Sequence, residues 1–169
     1  MKRNAVYAGS FDPPTSGHLD VIRRVQPLFD RLHLVVAVNG AKHSLFSAEE
    51  RVELLRESVA EVLPRGSFEV HAHHGLIVDF CRDRGIHCLI RGLRAVSDFE
   101  KEFQMAAMNR RLDSSIETLH VMTDESFFFV SSSLVKELAH HRAPLKGLVP
   151  RPVLKALRAK GLLPKRRST

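Results

Sequence analysis

The chain has 169 residues, 44% of them hydrophobic, and a formal net charge of +7. That is enough for one well-buried core and too short for two ordinary domains. The sequence has no run of about 18 apolar residues and no apolar leader, so neither a membrane span nor a secretory signal is expected and the expected location is cytoplasmic.

The positive balance invites a nucleic-acid reading, since clustered Lys and Arg neutralise phosphates. Its position argues otherwise. Lys155, Arg158, Lys160, Lys165, Arg166 and Arg167 sit at the end of the chain, which reads as one domain over 1–160 followed by a basic tail over 161–169. With no Trp and one Tyr, there is no interleaved aromatic set of the kind that stacks single strands, so no nucleic-acid partner is expected. The competing reading, a basic binding module, predicts salt-sensitive binding that depends on the tail. Cys81 and Cys88 form no CxxC pair and read as reduced, buried thiols.

In chain order, Ala5 to Ala8 is a short apolar run predicting a strand, and GSFDPPTSGH, Gly9 to His18, follows it. Gly9 permits a turn, Pro13 and Pro14 stiffen the loop, and Thr15 or Ser16 caps a helix starting near Gly17. Unpaired N–H groups and the positive helix end then face back over the loop, where an anion sits well. His18, in the first turn, can donate to a phosphate oxygen, and Gly17 leaves room for a ligand. The alternative is a plain capped turn with a surface histidine. Asp12 reads as a loop-fixing acceptor.

Leu19, Ile22, Val25, Leu28 and Phe29 predict a helix to Asp30, and Leu32 to Val38 a buried strand. Asn39 to Phe46 is a loop carrying Lys42. Ser47 with Glu50 is a capping box opening a helix that Pro64 and Gly66 end. Phe68 to Ala72 predicts a strand, Leu76 to Arg84 a short helix closed by Gly85, and Ile86 to Ile90 a strand delivering Arg91, Gly92, Leu93 and Arg94. A long helix follows from Asp98 to Leu112, then a strand from Leu119 to Met122. Ser131, Ser132 and Ser133 stand where they can cap the helix Leu134 to Ala139, and a last helix runs from Pro152 to Lys160.

His71, His73 and His74 suggest a metal cluster at first sight. On a strand, however, His74 points away from the other two, and Glu69 and Asp79 complete no recognised ligand spacing, so no metal site is expected.

Strands alternating with helices imply an α/β fold: a doubly wound, Rossmann-like, five-stranded parallel sheet with helices on both faces. Ligands of such sheets bind beyond the carboxyl ends of the strands. The opening loop, Lys42, Arg91 with Arg94, and the serines all fall on that edge. Each has a bland reading: a solvated lysine, arginines paired with Asp98 or Glu102, a serine cap. Together they make a cationic cradle beside a helix end. The chain lacks GxGxxG after its first strand and lacks a GxxxxGK[ST] loop, which leaves nucleotidyl transfer.

Thr15 to His18 match the TxGH form of the nucleotidyltransferase histidine signature, and Ser131 to Lys136 resembles the second signature of that superfamily. GSFDP, FSAEER, IRGLRAVSDFEKE with QMAAMNR, and VSSSLVKE, in this order and spacing, resemble the bacterial phosphopantetheine adenylyltransferase family from about Val6 to Pro150. The TxGH signature alone leaves other adenylyl- and cytidylyltransferases open.

The resemblance implies transfer of the adenylyl group of ATP to 4′-phosphopantetheine, giving dephospho-coenzyme A and pyrophosphate. It implies that Ser10 and Phe11 contact both substrates and that His18 holds the nucleotide phosphates. Lys42 and Arg91 would bind the phosphate of phosphopantetheine, and Ile77 would line its arm. Gly92, Leu93, Arg94 and Glu102 would line the ATP site, with Phe127, Phe128, Phe129, Val130, Ser131, Ser132 and Ser133 closing over it. It further implies a homohexamer, Mg²⁺ carried on the ATP phosphates, and coenzyme A as feedback ligand. His18, Lys42 and Arg91 are the expected catalytic residues. The acceptor phosphate is already an anion, so positioning and neutralisation suffice and no base is needed. One departure is Phe127-Phe128-Phe129-Val130, where relatives commonly have Trp or Tyr followed by Ser, Phe and Ile or Val.

Overall fold

A computed structural model describes residues 3–40, 43–94 and 96–164, the side chains at 96 and 97 excepted. Lys42, and Lys165, Arg166 and Arg167 of the expected tail, therefore lie outside the described residues. The elements are β1 (Asn4–Gly9), α1 (Ser16–Val25), β2 (Arg31–Val38), α2 (Ala48–Ala60), β3 (Phe68–His74), α3 (Ile77–Asp83), β4 (Cys88–Leu93), α4 (Val96–Leu112), β5 (Glu117–Met122), α5 (Ser132–His140) and α6 (Arg151–Ala159). All five strands pair in parallel in the order β3-β2-β1-β4-β5. The chain winds outward from β1 to β3, then crosses to the other side of β1 for β4 and β5. The strand order thus reverses between β1 and β4, which opens a crevice at their carboxyl ends.

Alternation along the strands assigns the two faces. Tyr7, Leu34, Val36 and Ile90 pack with Val21, Ile22 and Val25 of α1 and Leu55 and Val59 of α2. Val6, Ala8, Val35 and Leu89 pack with Val78, Phe80 and Cys81 of α3. A third cluster joins Phe46 and Leu54 to Val135 and Ala139 of α5 and Val153 and Leu157 of α6. Leu163 is buried in it as well, although it belongs to the stretch read as tail. No helix among the described residues is long and apolar enough to cross a membrane.

Among the predicted boundaries that shift, three have a consequence for the helices and the crevice. The first helix ends at Val25, and Gln26–Leu28 form a 3-10 turn with Pro27 in it, because proline cannot donate into a continuing α-helix. β4 starts two residues late and runs on through Leu93, pairing Arg91 with His120 and Gly92 with Val121. Arg91 is thus a strand residue rather than a loop residue. α4 begins at Val96, before Asp98. The capping box of Ser47 and Glu50 is present as read. Both cysteines are free, and burial pushes the Cys81 thiol up to about 11.

Candidate active site

The loop between β1 and α1 is held from several sides. Asp12 is 4% exposed; its carboxylate accepts from the backbone N–H groups of Leu45 (3.0 Å) and Phe46 (2.9 Å) and pairs with Lys136 Nζ at 3.0 Å. It fixes the loop, as its position suggested. The buried Arg51 donates from Nη1 to the Ser10 carbonyl at 2.9 Å. The turn itself is made by Phe11, at φ +45°, whereas Gly9 stays in strand geometry. Phe11 is 0% exposed and meets the His18 ring edge to face at 5.0 Å between centroids. It buttresses the histidine from the core instead of facing a ligand.

Thr15 is the N-cap of α1 and forms a reciprocal box with His18. His18 Nδ1 accepts from the Thr15 backbone N–H at 3.0 Å and lies 2.9 Å from Thr15 Oγ1. A ring nitrogen that accepts a backbone N–H carries no proton, so the neutral imidazole carries its proton on Nε2. Burial, aided by Arg94 and Arg91, pushes the His18 pKa from 6.5 down to about 4. At neutral pH His18 is therefore an uncharged donor. The unfolded chain takes up this proton below about 6.5 and the folded chain only near 4, so the group withdraws stability as pH falls through that window. An NMR titration of the free protein should show the His18 ring titrating near 4. A free-state value near 6.5 would contradict the geometry.

The helix ends differ from expectation. The Ser16 N–H donates to the Leu148 carbonyl at 2.9 Å, and the His18 N–H to Thr15 Oγ1 at 3.4 Å. Two of the first three donors of α1 are thus engaged, so this end is not the open anion site that the loop implied. Gly17 has a packing reason too: a Cβ there would stand 3.3 Å from Phe127 Cβ. At α5 the Ser131 side chain caps the Leu134 N–H at 3.0 Å, and Ser132 Oγ donates to the Pro13 carbonyl at 2.9 Å. The Ser132 and Ser133 N–H groups have no partner among the described residues and are first-turn donors.

Arg91 donates from Nε and Nη2 to Glu102, both at 2.7 Å, and from Nη1 to the Ala8 carbonyl at 2.6 Å. Three of its five N–H bonds are used and two remain. Burial opposes its charge, yet the Glu102 carboxylate raises its pKa above the ordinary value. Arg94 grips Asp98 with Nε at 2.9 Å and Nη2 at 3.2 Å. The bland pairings are therefore real, and they hold both guanidinium groups at the crevice.

Two adjoining cavities open here. The first, about 370 Å³, is walled by Ser10, His18, Arg91, Gly92, Arg94, Glu102, Val130, Ser131, Ser132 and Ser133. The second, about 420 Å³, is walled by Ile77, Leu76, Asn39, Met105 and Asn109 among others. They share Ala8, Gly9, Ser10, Arg91 and Glu102. Of the residues expected at the nucleotide, Phe11 and Leu93 are buried, and Phe127, Phe128 and Phe129 line neither cavity; Phe128 and Phe129 are 45% and 63% exposed.

Sequence reasoning missed Tyr7, Lys101 and Thr123 on the first wall and Arg51 on the second. Arg51 left a signal, a charge amid the apolar positions of α2. At Gly92 a Cβ would lie 3.2 Å from Tyr7 Oη and crowd it. The carboxylates of the first cavity, Asp98 and Glu102, are both held by arginines. A divalent cation there would therefore take its ligands from phosphates and water.

A family model described as cytidylyltransferase-like matches residues 6–138. The chain is 49% identical over 156 residues to a phosphopantetheine adenylyltransferase of Staphylococcus carnosus, covering 92% of this chain and 95% of the relative. It is 50% identical to that of Frankia casuarinae, covering 92% and 96%, and 51% identical to that of Anaeromyxobacter sp. strain K, covering 95% and 96%. A solved structure assigned as a nicotinate-nucleotide adenylyltransferase of Vibrio parahaemolyticus superposes with a TM-score of 0.70 at 15% identity, over 96% of this chain and 95% of that one, which speaks to the fold alone. With a histidine donor, two anchored arginines and an open helix end around one crevice, and relatives near half identity along its length, the chain belongs to the phosphopantetheine adenylyltransferase family.

Proposed function

We propose that the two cavities divide the substrates: ATP in the first, and the acceptor in the second with its phosphate at the shared wall. This chain is an adenylyltransferase that passes the adenylyl group of ATP to 4′-phosphopantetheine, giving dephospho-coenzyme A and pyrophosphate. The observation that supports the division is the common wall of Ser10, Arg91 and Glu102 between two pockets. There an acceptor phosphate would stand in line with the α-phosphate of ATP. An acceptor oxygen attacks that phosphorus, the bond to the bridging oxygen of the β-phosphate breaks, and pyrophosphate leaves. No proton need move.

In this reading His18 donates from Nε2 to the α-phosphate oxygens as their charge grows, which is electrostatic stabilisation and not base catalysis. The two free N–H bonds of Arg91, with Lys42, hold the attacking phosphate against its repulsion from ATP. Arg94 and the Ser132 and Ser133 N–H groups take the leaving pyrophosphate. Mg²⁺ carried on the ATP phosphates would supply the remaining charge neutralisation. Ile77 lines the pantetheine arm, and coenzyme A, which carries the same arm, would compete there as a feedback ligand.

A self-assembled oligomer, the homohexamer of the resemblance, suits the apolar surface of α4 and β5. Phe99, Phe103, Met105, Met108, Leu119 and Met122 are each 45–59% exposed. A surface of that kind marks an interface. Two free thiols and ATP as substrate favour the cytoplasm.

The deciding experiment is pyrophosphate release with ATP and 4′-phosphopantetheine, compared with pantetheine lacking the phosphate. Only the phosphorylated acceptor should react. Lys42→Ala should raise the KM for phosphopantetheine about tenfold or more while leaving the KM for ATP near its original value; unchanged acceptor dependence would remove Lys42 from the phosphate site.

A further inference from the structure

Away from the crevice, toward the amino-terminal ends of β2 and β3, three side chains converge on the α3 face of the sheet. His33 on β2 stands in register with Glu69 on β3, and His71 lies two residues further along β3 on the same face. We propose that His33, Glu69 and His71 form a Zn²⁺ site that ties the edge strand β3 to β2.

His33 Nδ1 and His71 Nε2 are 3.2 Å apart, and Glu69 Oε2 lies 3.6 Å from the first and 3.4 Å from the second. A tetrahedral zinc ion with bonds of about 2.0–2.2 Å to imidazole and carboxylate sets its ligand atoms about 3.4 Å apart. The three observed separations bracket that edge length. Hydrogen bonding satisfies the triangle only in part: a proton on His71 Nε2 is shared between His33 Nδ1 and Glu69 Oε2, and with a proton on each nitrogen two N–H groups oppose each other. A divalent cation satisfies all three lone pairs together, the imidazole protons then residing on the outer nitrogens, His33 Nε2 and His71 Nδ1.

The surroundings orient the ligands. Arg31 Nη1 binds Glu69 Oε1 and so turns Oε2 toward the imidazoles, as outer-shell partners of metal ligands do. Phe80 lies under both rings, 6.4 Å from His33 and 5.2 Å from His71 between centroids. Burial lowers the pKa of both histidines, the direction that favours the neutral, ligating imidazole. A cavity of about 340 Å³ borders His33 and Glu69. On its wall Asn4 Oδ1 is a buried acceptor with no hydrogen-bond partner among the described residues, and the cavity has room for a water beside His33 and Glu69. Arg31 and Arg84, the latter stacked 3.8 Å over Phe80, add positive charge nearby and should hold the affinity to the micromolar range rather than tighter.

The test uses the full chain, stripped with a chelator and titrated with ZnCl₂ by calorimetry and with Co²⁺ by visible absorption. One ion per chain should bind, with an intense tetrahedral Co²⁺ spectrum, and a hundredfold excess over Kd should raise the melting temperature by about 5 °C or more. His71→Ala and Glu69→Gln should each weaken binding at least tenfold and cut that rise to about half or less. His73→Ala, on the same strand, should change neither. Glu69→Gln keeps the side-chain shape, so a loss there is not a folding defect, and circular dichroism of each variant confirms it. No uptake by the parent chain at that excess, or a stoichiometric site undiminished in both His71→Ala and Glu69→Gln, overturns the proposal. The readout is metal binding, so it stands or falls independently of adenylyl transfer.

Discussion

His18→Ala is expected to lower kcat about 10²- to 10³-fold while changing the KM for ATP by less than about fivefold. The magnitude is that of deleting one preorganised donor aimed at developing charge. The asymmetry follows from where that charge appears. In the role proposed for His18, the α-phosphate oxygens gain negative charge only as the acceptor attacks, so the Nε2–H bond would strengthen in the transition state and add little in the ground state. The ring is held for this role: Thr15 occupies Nδ1, Phe11 packs against the ring, and Arg94 and Arg91 help keep it neutral. Steady-state kinetics with both substrates decides the matter. Loss of ATP affinity with normal turnover would refute the assignment.

Arg91→Ala should have the second large effect, on activity and on stability together. Removing the guanidinium withdraws the phosphate anchor proposed at the shared wall, and kcat/KM for phosphopantetheine should fall about 10²-fold or more. It also leaves Glu102, whose side chain is 14% exposed, as an uncompensated carboxylate, and frees the Ala8 carbonyl. The cost should be about 2–4 kcal/mol, somewhat below that of a fully buried pair because the Arg91 side chain is 30% exposed. Urea unfolding measures it. The double variant Arg91→Ala/Glu102→Ala removes the stranded charge and should regain part of the stability while staying inactive. Recovery of activity in the double variant would show that Arg91 only neutralises Glu102 and never meets the substrate.

Much of the fold was legible before any coordinates. The five strands, their parallel pairing and the crevice at their carboxyl ends follow from alternating periodicities, since apolar spacing of two or of 3.6 determines which side chains share a face. Capping boxes are similarly local: Ser47 reaches Glu50 three residues on. The site was legible in outline, with His18, Arg91, Arg94, Ser10 and the serines meeting at one crevice. The aromatic run was placed at the nucleotide by the resemblance and by no local spacing; in the structure Phe128 and Phe129 are exposed and Phe127 fills the space beside Gly17.

By itself the sequence determined the order of elements, the family signatures and the residue types gathered on one sheet edge, all of which depend on neighbours a few positions away. Only the tertiary structure decided which donors stay open there. Ser16 gives its N–H to Leu148, far along the chain, so α1 loses its open end while α5 keeps one. The same holds for Phe11, turned into the core to support His18, and for His33, which meets Glu69 and His71 only because β2 and β3 pair in one register. Hydrogen bonds and ligand sets are completed by partners brought together from distant positions, and local spacing carries no record of which partner arrives.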